Sequence, residues 1–73
     1  MNPGQIKFYE FIMDRVGEEN QPAAAHLLNE SFLKQGDGTF DQAYLQEFNS
    51  KMLELLKPEY KEEVQNIMQN FRG

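Results

Sequence analysis

The chain has no cysteine. That excludes a disulfide framework, a thiolate zinc site and a cysteine nucleophile. It also suits a reducing compartment, so the expected location is the cytoplasm. Histidine is nearly absent, with His26 standing alone. Glu30 lies one helical turn further on, but two ligands do not complete a zinc site, which needs three or four. Ser31 and Ser50 have no evident base near them in the pattern. The expectation is therefore no metal, no cofactor and no enzyme.

Positive charge is scarce as well. Seven Lys and Arg face twelve Asp and Glu, for a net charge of −5. No segment of the chain is basic. Phosphate-backbone recognition needs clustered cations, so nucleic acid is excluded as an expected partner. An anionic membrane surface is excluded for the same reason. No apolar run approaches the roughly 20 residues of a membrane span. The start, Met1-Asn2-Pro3-Gly4-Gln5, lacks the basic and apolar regions of a signal peptide. The carboxylate pairs Glu18-Glu19 and Glu62-Glu63 fall on positions expected to face water, where general acid–base chemistry gains nothing.

Only three prolines and five glycines punctuate the 73 residues, and between them the pattern is helical throughout. The chain reads as one domain, residues 1–73. The expected fold is all-α, a small compact bundle of four short helices at about 3–16, 22–35, 40–56 and 58–71. Pro58 leaves open a three-helix alternative with a kinked last pair. No internal repeat or low-complexity run is visible.

In the first helix, Asn2 is the expected N-cap and Pro3 suits the first turn. Ile6, Tyr9, Ile12, Met13 and Val16 share a face, widened by Phe8 and Phe11. Gly17 is the expected residue after the helix. Pro22 opens the second helix, whose inner face is Ala24, Leu27, Leu28, Ser31 and Phe32. Gly36 is expected to end it. The third helix carries the stripe Tyr44, Leu45, Phe48, Met52, Leu55 and Leu56. In the fourth, Tyr60, Val64, Ile67, Met68 and Phe71 fall in one sector, as for a helix packed on a single side.

Gln35-Gly36-Asp37-Gly38-Thr39-Phe40-Asp41-Gln42 lies between the two middle helices. The expected roles are a helix stop at Gly36, a flexible step at Gly38 and a capping box of Thr39 with Gln42. Asp-Gly-Thr-Phe-Asp also half-resembles the middle of an EF-hand calcium loop. Aligned that way, Leu33 would occupy the first ligand position and Tyr44 the twelfth, and neither can bind calcium. A degenerate EF-hand-like ion or peptide binder remains an alternative reading.

The aromatic content, six Phe and three Tyr, is the more suggestive feature. The apolar arc of the first helix is wider than one packing face needs, and Leu33 and Leu53 lie off their stripes. Phe8, Phe11, Leu33 and Leu53 are therefore the expected interaction surface. A chain this short is marginal alone, which makes a second copy of itself one candidate partner. The leading reading is a protein–protein interaction module without catalytic activity. A third reading is an acidic inhibitor or immunity-type protein that neutralises a basic partner.

Overall fold

The computed structural model describes residues Asn2–Asn70. Among them are four α-helices: α1 (Pro3–Met13), α2 (Gln21–Asp37), α3 (Gln42–Leu55) and α4 (Lys61–Gln69). Single 3-10 turns, Glu18–Asn20 and Pro58–Tyr60, precede α2 and α4. The all-α bundle expected from the periodicity is present. Successive helices pack on one another, α1 on α2, α2 on α3 and α3 on α4. The core is a single cluster built from Ile12, Val16, Ala24, Leu27, Leu28, Phe32, Phe48, Met52, Leu56, Val64 and Met68.

The first helix starts as its sequence dictates. The Asn2 side chain accepts from the Gln5 amide at 2.8 Å, and the Gln5 side chain accepts from the Asn2 amide at 3.1 Å. Each bond satisfies an amide that the helix leaves without a partner. The helix then stops three residues short of the expected Val16. Gly17 is no left-handed cap, since its φ is −59° and its ψ 144°. The reason is tertiary. Val16 leaves the helix to form an antiparallel bridge with Leu56. The Gly17 amide donates to the Leu55 carbonyl (3.4 Å), and the Lys57 amide donates to the Arg15 carbonyl (3.0 Å).

That bridge joins two halves with the same backbone, forty positions apart. Gly17 and Lys57 are both extended, at φ −59°, ψ 144° and φ −62°, ψ 139°. Asn20 (φ −100°, ψ −1°) matches Tyr60 (φ −106°, ψ −4°). Buried residues repeat at the same spacing: Ile12 with Met52, Val16 with Leu56, Ala24 with Val64, Leu28 with Met68. The chain is a duplicated helix–bridge–helix unit. The repeat is invisible in the sequence because only Phe8/Phe48 and Glu19/Glu59 keep the same residue at that spacing. Lys57-Pro58 is accordingly a true break between helices and not a kink.

The central stretch differs from expectation at three points. Gly36 lies inside α2, which runs two residues further than expected. The stop is Gly38, with φ +80° and ψ 13°, a left-handed conformation that costs other residues about 1–2 kcal/mol. Its amide, and that of Thr39 at 3.0 Å, return to the Lys34 carbonyl. The third helix is capped by Asp41, whose carboxylate accepts from the Tyr44 amide at 2.8 Å. Thr39 and Gln42 form no capping box. The Thr39 hydroxyl and amide donate instead to the Asp37 carboxylate. The four-residue link keeps its length but shifts two positions along the chain, so the β-conformation falls on Asp41, the better cap of the two. Residue 71, expected at the end of the fourth helix, lies outside the described residues.

Two results should separate these roles. Gly36→Ala should stabilise the fold by about 0.5–1 kcal/mol, since a Cβ there meets nothing within 4 Å. Gly38→Ala should destabilise it by about 1 kcal/mol. Likewise Asp41→Ala should cost about 0.5–2 kcal/mol, and Thr39→Ala clearly less. Urea denaturation of the four variants reads out both contrasts.

Candidate functional site

The bridge holds the C-terminal ends of α1 and α3 together. Their N-terminal halves are separated by a groove of about 290 Å³. Gly4, Gln5 and Phe8 of α1 form one wall, Phe40, Leu45 and Phe48 the other, and Ser31, Phe32 and Gln35 of α2 the floor. The lining is mostly apolar and contains no charged side chain. Side-chain amides form its rim, where Gln5 Nε2 donates to Gln35 Oε1 across 3.3 Å. The buried Ser31 hydroxyl donates to the Leu28 carbonyl at 2.7 Å, as serines inside helices commonly do.

The α3 wall is braced from behind. Phe40 meets Tyr44 edge to face with ring centres 5.3 Å apart. The Tyr44 hydroxyl donates to Glu30 Oε1 at 2.9 Å, and the Lys34 ammonium lies 5.0 Å from the ring centre. Partial burial, and then the bond to Glu30, push the Tyr44 phenol well above its ordinary pKa, so it stays protonated. Glu30 is thus committed to Tyr44, one turn away from the exposed His26 that the sequence had set beside it.

The expected surface residues are dispersed. Phe8 is half-buried in the wall of the groove. Phe11 is half-buried under the Arg15 guanidinium, which sits 3.8 Å from its ring centre. Arg15 also donates to Glu63 at 2.8 Å and so ties the end of α1 to α4. Leu53 is half-buried in a second groove, between α3 and α4. Leu33 alone is strongly exposed, at 73%. Among the described residues, Ile6 and Ile67 are the other large apolar residues on the surface, at 43% and 44%. Of the four, Phe8 alone lines the α1–α3 groove. Sequence reasoning missed Phe40, Leu45 and Gly4 because a groove between two helices that never adjoin in sequence leaves no periodic signal.

Asp37 and Asp41, the carboxylates of the half-resemblance to a calcium loop, are both occupied by local bonds. The Thr39 hydroxyl, and then its amide, hold the Asp37 carboxyl below the usual aspartate range. Among the described residues, no group of three or more His, Cys, Asp or Glu is arranged to hold a metal ion. No described helix is long and apolar enough to cross a membrane. No family model, curated protein or solved structure matches the chain.

Proposed function

We propose that this protein is a small acidic interaction module that acts by binding, without catalysis, and that its working surface is the groove between α1 and α3. The observation that carries the reading is Gly4. A glycine in the first turn of a helix costs stability. Nothing in the fold demands it, since Gly38 is the only described residue with positive φ. A Cβ on Gly4 would meet only the Asn2 side-chain oxygen, at 3.4 Å. A glycine that the fold does not need, set in the wall of an apolar groove, leaves room for the surface of a partner. The partner is a protein, either a second copy or another chain.

Gly4→Leu tests this directly, because it fills the groove from an open position and leaves the core alone. Affinity capture from the native host, quantified by mass spectrometry, should show a protein retained by wild type and lost by Gly4→Leu. Light scattering over a range of concentrations covers self-association, which the same substitution should abolish. Identical capture profiles and an unchanged monomer mass for both proteins would refute the groove as a binding surface.

A further inference from the structure

The end of α2 carries a chemically reactive pair. Asp37 is followed by Gly38, the only place in the chain where Asp or Asn precedes glycine. The amide nitrogen that follows an aspartate can attack its carboxyl carbon and close a five-membered succinimide ring. The side chain of the following residue ordinarily hinders that attack, and glycine has none. Asp14 and Asp41 are followed by Arg15 and Gln42, so the chain carries its own controls.

The fold leaves the pair open. Asp37, Gly38 and Thr39 are all exposed, and a Cβ placed on Gly38 would meet nothing within 4 Å. Attack requires the Gly38 amide to leave the Lys34 carbonyl, the bond that closes the last turn of α2. That turn contains Gly36, which weakens a helix. Helix ends of this kind open at little cost in free energy. One restraint remains, since the Thr39 hydroxyl and amide both donate to the Asp37 carboxylate. Their bonds favour the ionised form. That form does not react, because the departing oxygen must leave as water.

We propose that Asp37-Gly38 is a modification site at which the chain isomerises to isoaspartate, and that the Thr39 hydroxyl sets the rate. In the first step the Gly38 nitrogen bonds to Asp37 Cγ, and the amide proton leaves with the carboxyl hydroxyl as water. In the second, water adds back to either carbonyl of the ring. Opening at Cγ restores aspartate. Opening at the α-carbonyl routes the main chain through Cβ and Cγ and leaves a free α-carboxylate. The mass returns to that of the starting chain, and no oxidant or reductant is consumed. The backbone is then one carbon longer at the turn that returns two amides to Lys34, so that turn no longer closes. This site is independent of the α1–α3 groove.

The test is incubation of the full chain at physiological pH and temperature, followed over time by peptide mapping with mass spectrometry. Isoaspartate should accumulate at residue 37 and not at 14 or 41, with the succinimide, one water lighter, as a transient. Thr39→Ala should speed the reaction about three- to tenfold, the worth of one hydrogen bond. Thr39→Ser should keep the wild-type rate, which separates the hydroxyl from a general loosening of the link. Gly36→Ala touches neither reacting atom and should slow the reaction by firming the last turn. Gly38→Ala should bring residue 37 down to the level of Asp14. Isoaspartate no more abundant at 37 than at 14 and 41 would overturn the site. So would a native chain that stays unmodified while the urea-unfolded chain isomerises. An unchanged rate in Thr39→Ala, or Thr39→Ser as fast as Thr39→Ala, would overturn the role of the hydroxyl.

Discussion

Leu28→Ala should cost about 2–5 kcal/mol and lower the melting temperature by ten degrees or more. Leu28 is fully buried at the middle of α2. That helix is the only one in the first half packed on both a preceding and a following helix. The side chain is thus enclosed from several directions, and its removal leaves a cavity that the neighbours cannot close without moving a whole helix. The loss is large against the whole. A domain of this length is stable by roughly 4–11 kcal/mol. The residue at the same place in the second unit, Met68, lies on the nine-residue α4, whose main helix neighbour is α3. Met68→Ala should cost less, because a nine-residue helix held mainly by one neighbour can settle into the space. Thermal unfolding followed by circular dichroism measures both. A Leu28→Ala cost below 1 kcal/mol, or the reverse order of the two, would show that α2 is not the central helix of the core.

Lys57→Pro should cost about 2 kcal/mol or more although it removes no buried side chain. Lys57 is exposed, and its φ of −62° is already that of proline. Leu56 before it is extended (φ −75°, ψ 151°), the conformation that a following proline prefers. The chain's own dihedrals accept the ring, but its Cδ takes the place of the amide hydrogen and meets the Arg15 carbonyl oxygen, which lies 3.0 Å from the nitrogen, so the bridge loses its donor and must open at this point. An acceptor left without its partner costs about 1–3 kcal/mol. The stiffer unfolded chain offsets some 0.4–1 kcal/mol of that. The reciprocal bond, from the Gly17 amide to Leu55, should weaken with it, so the Gly17 amide should exchange with deuterium faster in the variant. Unchanged stability together with unchanged exchange would mean that the bridge does not couple the two units.

The helices themselves were legible in the sequence. The apolar spacing of Ala24, Leu27, Leu28 and Phe32, or of Phe48 and Met52, places those residues inside, and the structure buries them. Asn2 was legible as the N-cap of α1, and the structure adds Gln5 as the second half of a capping box within four residues. What these features share is range: each is decided by residues within one or two turns. The errors fall where longer-range contacts compete. Val16 fits the face of α1 by period, yet it leaves the helix because Leu56 offers a bridge partner that no local pattern reveals. Gly36 and Gly38 are equally able to end a helix. The choice went to Gly38, where a left-handed turn returns two amides to Lys34 and brings Asp41 into place as the next cap.

The surface was hardest to read. Phe8, Phe11, Leu33 and Leu53 look alike in a helical pattern, as apolar residues at the margin of a face. The structure gives them four different neighbourhoods: a groove wall, the underside of Arg15, open solvent and a second groove. The sequence by itself determined that this is a thiol-free, acidic, all-α domain, because composition and local periodicity suffice for that. The tertiary structure decided where the helices end, that they form two copies of one unit, and that grooves remain between α1 and α3 and between α3 and α4. Those features depend on which helix meets which, and residues forty positions apart settle them through packing and paired backbone groups.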